Sequence, residues 1–467
     1  MIDLSFLTAA ELAPLIETRQ LSPVELTEHT LKRMEKLNPQ INAYNTPLPQ
    51  LALDQARKAE EEIMAGQYKG PLHGIPIGIK DNKKTKGIRT TAGSKLFANY
   101  VPTKSATVVN KLLSSGGIMV GKLTMHQLGA GLTGTNPFFG ATRNPWNLNY
   151  MPGGSSSGSG AALASGLATL STGTDTFGSI RVPAAMSGVY GLKPTYGLVS
   201  SYGVIPAAWS LDTIGPMARS VSDLALMLNC MAGFDPKDPA SLKTNVQDYR
   251  ADLHKNISGI KIGIPTYYLE GLDADVETLF TKAIATLRSL GAEIQELNIP
   301  ELSMSTFAGF VIVAGEGAAF HSKWLQTSLQ DYAPDARAIL LSGSLTSAPQ
   351  YIKAQQVRRK LTNAFQIEFK EVDVLLGPTI PMTTPEIRED WVTQNLDVVR
   401  RGLPFTVPAN LTGIPSLTVP MGLSSKGLPV GMQFMGQHLS EKQLLQLGNA
   451  WQTTNPLGVS LKREEIG

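Results

Sequence analysis

GLATLSTGTDTFGSIRVPAAMSGVYGLKP, residues 166–194, carries a strand, a glycine-containing turn, the start of a short helix and a second strand with almost no charge between them. GLATLSTG is small and apolar enough for a buried strand, and VYGLKP reads as the next one. Ser179 sits between the glycine turn and a helix in which Pro183 is tolerated in the first turn. The same alternation extends upstream through IPIGIK, TVVNKLLSSG and IMVGK, and downstream DVLLGPTI, SLTVPMG and PVGMQFMG return as strands. The pattern predicts an α/β fold with one mixed, twisted central sheet covered by helices on both faces. No linker divides residues 1–467, so a single domain is expected. It falls into N-terminal helices (1–70), a strand-rich segment (71–236), a variable helical region (237–370) and C-terminal strands completing the sheet (371–467). Within the first segment, Ser22-Pro23-Val24-Glu25 reads as a capping box with proline at the first helical position.

Composition narrows the function classes. Of 467 residues, 42% are hydrophobic and 17% charged, enough to bury a large core. The 41 basic and 38 acidic residues are interspersed, and a net charge of +3 makes no electrostatic case for nucleic acid. One cysteine, Cys230, excludes an internal disulfide or a cysteine zinc cluster and fits a reducing compartment. The N-terminus lacks a basic n-region. The longest apolar run, Ala308 to Gly315, is too short to span a bilayer. The expectation is a cytoplasmic protein that does not engage a membrane.

Gly154-Ser155-Ser156-Ser157-Gly158 formally matches the G-x-S-x-G nucleophile elbow, with Ser156 as nucleophile, but NLNYMPGG before it is not the buried strand an elbow requires. None of the six histidines stands where a general base or an Asp–His relay is expected. A serine hydrolase without a placed histidine needs another base, and a desolvated lysine can supply one. In IPIGIK, alternation sends Pro76, Gly78 and Lys80 to one face, so the lysine shares its face with a glycine that admits a second backbone. The ordinary alternative is a strand-end lysine reaching solvent. Ser179 has the matching pair of readings. It is either a plain helix N-cap, or a nucleophile beside amides able to receive an oxyanion.

GIPIGIKDN, MPGGSSSGSGAALASG and GTDTFGSIRVPAAMSGVYGLKPTYGLVS, in that order, resemble the amidase signature family, and the likeness runs from LHGIPIGIKDN to LPVGMQFMG. The resemblance implies that residues 71–236 are a catalytic core. In it Lys80 is the base, Ser155 a bridging serine on a non-proline cis peptide, and Ser179 the nucleophile. It further implies an oxyanion hole from the backbone amides of Thr176, Phe177, Gly178 and Ser179. Gly129, Leu132 and Phe177 are expected in the substrate pocket, with Asp81, Asp175 and Arg181 holding the loops. No metal or organic cofactor is implied. The partner is a small amide substrate, and a homodimer is left open.

Two positions depart from the family pattern: Ser157 stands for glycine in GGSSSGS, and Phe177 for the first glycine of TDxGGS. Phe177 should avoid positive φ and pack its ring beside the acyl pocket. YGLVSSYGV and NPWN resemble the A component of a tRNA-dependent amidotransferase, whose glutamine site uses an acid before its FTVPANLTG-like segment. Here Leu403 and Pro404 occupy that approach, and only an arginine for the α-carboxylate, Arg337, is available. The leading reading is therefore an amidase acting on linear amides, and on esters or carbamates by the same chemistry. The alternatives are the glutaminase component of such an amidotransferase and a scaffold without activity.

Overall fold

The structure is a computed structural model and describes residues 3–455. Its strands are β1 (Tyr44–Pro47), β2 (Pro76–Lys80), β3 (Ile118–Leu123), β4 (Leu170–Asp175), β5 (Tyr190–Lys193), β6 (Thr213–Ala218), β7 (Lys261–Pro265), β8 (Glu293–Leu297), β9 (Val374–Pro378), β10 (Ser416–Leu423) and β11 (Pro429–Gly436). Among the described residues they form one sheet in the order β1-β3-β2-β4-β6-β5-β10-β11-β9-β7-β8. β2 runs parallel to β3 and β4, and β7 parallel to β8 and β9, while the joints at β6, β5, β10 and β11 are antiparallel. The sheet is mixed, as the sequence predicts.

Both faces are covered, and alternation along single strands shows it. On β9, Val374 and Leu376 join one hydrophobic cluster and Leu375 the other; on β11, Met432 and Phe434 face one way and Met435 the other. Strands enclosed on both faces need not alternate polar with apolar, which is why IPIGIK and GLATLSTG read as continuous apolar runs.

The structure differs from the sequence reading at several places. Residues 237–370 are not wholly helical, because KIGIP and EIQEL form β7 and the edge strand β8; EIQEL exposes Glu293, Gln295 and Glu296, half-buries only Ile294 and Leu297, and carries little strand signal. The N-terminal segment contributes β1 as well as helices, and TIGPMA supplies β6 despite its proline. The C-terminal segment contains a long helix, Trp391–Thr412, with Pro404 and Pro408 inside it. Those prolines each remove a helical donor and argue against a helix from sequence alone. Finally, the apolar run at Ala308–Gly315 belongs to a longer helix, Ser305–Thr327. Taken from Pro300, that stretch is long and apolar enough to cross a membrane by length and composition, yet 56% of its apolar window is buried inside the protein. The capping box at Ser22 is half formed: Ser22 accepts from the amides of Val24 and Glu25, but its hydroxyl donates to Glu60.

GGSSSGSG is no linker. Ser157–Ala164 is a helix whose every residue is buried. Gly158 passes so close to β1 and β3 that a Cβ there would lie against the Ala43 carbonyl and 2.7 Å from both N and O of Thr124.

Candidate active site

Lys80 ends β2 with no exposed surface. Its Nζ lies 2.8 Å from Ser155 Oγ, 2.8 Å from Ser156 Oγ, 2.7 Å from Thr174 Oγ1 and 3.4 Å from the Thr174 carbonyl. Among the described residues no carboxylate touches it directly. Burial pulls its pKa down to about 7, against the opposing fields of Asp175 and Asp212. A lysine in these surroundings is neutral in a large fraction of molecules at neutral pH.

Ser155 follows a cis Gly154–Ser155 peptide bond. The neighbouring Ser156 amide donates to the Ser179 carbonyl at 3.2 Å, so the two serine loops are joined through backbone. Ser179 Oγ forms no hydrogen bond with a described residue, and it is not bonded to Ser155 Oγ in this conformation. The amides of Thr176, Phe177 and Ser179 likewise find no partner among the described residues. Gly178 is a correction to the expected donor set: its amide already donates to Asp175 Oδ1 at 2.8 Å, which removes it from an oxyanion hole in this conformation.

The loop is clamped from beneath. Asp175 takes a bidentate pair from Arg181 at 3.0 Å each and a 2.8 Å bond from Asn410. Burial would raise its pKa, but the Arg181 charge and these hydrogen bonds hold it well below the carboxylate range. Thr406 donates to the Phe177 carbonyl at 2.6 Å, and the same side chain closes over Gly178, whose φ of +107° favours glycine. Phe177 is absent from the positive-φ residues, as its side chain requires. Asp81 plays a similar structural part, accepting from Asn45 and Thr91 through Oδ2 and pairing its charge with Lys122 through Oδ1.

In front of this loop lies a narrow apolar cavity of about 50 Å³. Gly129, Leu132 and Phe177, the expected pocket residues, all line it, together with Leu128, Phe310 and Leu403 among others. Gly129 is also near the reacting groups, since a Cβ there would stand 3.7 Å from Ser155 Oγ. Arg337 is not among the lining residues, and the described lining carries no lysine, arginine or carboxylate.

Several participants escaped the sequence reading. Asp212 accepts from Thr176 Oγ1 at 2.5 Å and from the amides of Ala207 and Ala208, and burial raises its pKa to about 6. It is the one charged residue between Leu198 and Met217, a signal that was available. Ser156 is a partner of Lys80, held by the Thr174 backbone. The histidines need a correction as well: His126 does make an Asp–His contact, with Asp335 at 2.8 Å, though 209 positions separate the two. It ties the pocket loop to the helix Pro334–Ser344 and makes no hydrogen bond with Lys80 or Ser179.

Known proteins resemble this chain over nearly its whole length. The amidase family profile matches residues 25–445. A protein of Geobacter sp. (strain M21), named as the A component of glutamyl-tRNA(Gln) amidotransferase, is 40% identical over 94% of this chain and 95% of its own length. Among solved structures, a bacterial aryl acylamidase of the amidase signature enzymes aligns with a TM-score of 0.89 at 27% identity, covering 97% of this chain and 96% of that one. The peptide amidase from Stenotrophomonas maltophilia aligns with a TM-score of 0.85 at 31% identity, covering 96% and 97%.

Proposed function

The chain belongs to the amidase family, hydrolases of amide C–N bonds, and from that premise we propose that it is a stand-alone amidase for linear amides with apolar groups, working through a Ser179 acyl-enzyme. The observation that carries this reading is Lys80, fully buried with its amine 2.8 Å from Ser155 Oγ.

Neutral Lys80 has two N–H donors and one lone pair. Ser156 Oγ directs its own hydrogen to the Thr174 carbonyl and Thr174 Oγ1 accepts from Asn82, so both hydroxyl oxygens suit the two donors. The lone pair is left for the Ser155 hydroxyl. Ser155 then passes its proton to Lys80 and takes one from Ser179, whose Oγ attacks the carbonyl carbon. This relay requires Ser179 Oγ to turn onto Ser155 when substrate binds, since apo contacts of this kind are often open. The amides of Thr176, Phe177 and Ser179 stabilise the oxyanion. Collapse breaks the C–N bond while the proton returns through Ser155 to the departing nitrogen. Water, deprotonated by the same relay, releases the acid. Esters and carbamates follow the same acyl route.

The glutaminase reading has the names of the curated relatives in its favour. Against it stand the uncharged lining of the cavity and Leu403 within that lining, because free glutamine carries an ammonium and a carboxylate that need partners. Turnover by the purified chain alone decides between them. Apolar aryl and alkyl amides should be hydrolysed and glutamine poorly. Comparable or better turnover of glutamine would overturn the proposal, and inactivity on every amide would favour a chain that works only within a complex.

A further inference from the structure

The cavity's lining is apolar with two exceptions, Thr176 and His321. The Thr176 hydroxyl is spent on Asp212 at 2.5 Å. His321 is different. Its side chain is buried, with 1% of the residue exposed, yet only one ring nitrogen is engaged: Nδ1, 3.0 Å from the hydroxyl of Tyr332. Nε2 has no hydrogen-bond partner among the described residues.

The hydroxyl of Tyr332 likewise has no other partner among them, so the pair must share one hydrogen. A phenol is a good donor and an imidazole nitrogen a strong acceptor, which favours O–H···Nδ1 and leaves the second hydrogen of the neutral ring on Nε2. Burial keeps the imidazole neutral by pulling its pKa down to about 4. The ring is held in place by Phe320, Trp324 and Tyr332, with centroids 5.0–5.6 Å away.

Position along the helix Ser305–Thr327 gives the group its use. Phe310, Val313 and His321 all line the cavity from this helix, and Gly317 between them keeps the wall thin: a Cβ there would stand 2.9 Å from Leu340 and 3.2 Å from the Ala207 carbonyl, both cavity residues. His321 lies eleven residues beyond Phe310, roughly 16 Å at 1.5 Å per residue. Phe310 is 37% exposed, at the open side, whereas His321 is enclosed.

We propose that His321 is a specificity-determining residue, whose Nε2–H selects amides that carry a hydrogen-bond acceptor at the end of an otherwise apolar group. This rests on the amidase reading and names its substrate class: a slender aryl or alkyl amide with a remote carbonyl, ether or ring nitrogen. A substrate that fills the cavity without an acceptor leaves this donor unpaired and is penalised, as hydrogen-bonding pockets in general discriminate more sharply than apolar ones.

The test compares kcat/KM for two arylacetamides of one shape, 4-acetylphenylacetamide and its 4-isopropenyl counterpart, and for the corresponding 3-arylpropanamides. The methylene spacer insulates the scissile carbonyl from the substituent. The expected ratio favours the acetyl member by about tenfold or more in the wild type. It falls to about one in His321→Leu and is partly restored in His321→Gln, whose amide again offers a donor. Tyr332→Phe lowers the ratio too, because Nδ1 loses the donor that fixes the tautomer. Each variant's fold is checked by circular dichroism, and the wild-type ratio stands as a test even if a variant fails to fold. A wild-type ratio near one, or a ratio unchanged in His321→Leu, overturns this inference while leaving the amidase reading intact. Failure to hydrolyse any of these amides overturns both.

Discussion

Lys80 and Ser179 meet opposite demands, since one must be starved of water to stay neutral and the other must remain open to substrate. Lys80 has no exposed surface, and Ser179, itself buried, stands on the loop whose Thr176 and Phe177 line the apolar cavity. The expected consequence is an acid limb in kcat/KM with a midpoint near pH 7 and activity that persists on the alkaline side, because protonated Lys80 cannot accept a proton. Asp212 opposes the depression of that pKa, so Asp212→Asn should move the midpoint to lower pH; a midpoint unmoved or moved upward would remove Asp212 from the field at Lys80. Lys80→Ala should cost several orders of magnitude on every amide. A fluorophosphonate should label Ser179 and not Ser156, whose hydroxyl is already engaged by Lys80 and Thr174. Peptide mapping reads this directly, and label on Ser156 would revive the elbow.

At the scale of elements, two short segments carry the site and each has its own sensitivity. The loop from β4 to the helix Arg181–Ser187 is shaped by Asp175 below and Thr406 above, and Phe177 is its side chain toward the cavity. Phe177→Gly should therefore change the order of preference among small, aryl and bulky branched amides more than turnover of the smallest amide. Identical ratios in variant and parent would show that the ring does not shape selection. The helix Ser157–Ala164 is sensitive at Gly158, where a methyl would meet the backbone of Ala43 and Thr124, which cannot turn aside as a side chain can. Gly158→Ala should destabilise by about 1–3 kcal/mol or more, seen as a lower denaturant midpoint with the slope unchanged.

For the whole molecule, burial of amines sets a pH dependence of stability. Lys80 and Lys193 are fully buried with pKa values drawn down to about 7, mainly by desolvation, and Lys83 is lowered as well by burial and by Lys80 and Lys122. Unfolded lysines keep their ordinary value of about 10.4, so between pH 7 and pH 10 the unfolded chain binds more protons than the folded one, and stability rises with pH. Urea unfolding should gain roughly 4–5 kcal/mol from pH 7 to pH 9 from Lys80 and Lys193 together; a flat or falling profile would show that these amines remain charged when folded. The sequence by itself determined the sheet-forming runs around Lys80 and Ser179, because strands buried on both faces are built of small and apolar residues with few charges and glycines mark where backbones approach. It also determined the family, since the motifs that carry it are local strings such as GIPIGIKDN and GGSSSGSG. It did not reveal β8 or the helix Trp391–Thr412, where an exposed edge and interior prolines contradict local propensity and packing overrides it. The contacts that give the site its chemistry were decided by tertiary structure alone. Asp212 with Thr176 and Asp335 with His126 join residues 36 and 209 positions apart, and His321, bonded to Tyr332 eleven positions on, is enclosed beside the cavity only by the fold. Desolvation and hydrogen-bond partnership are properties of what surrounds a side chain in space, and no local pattern encodes them.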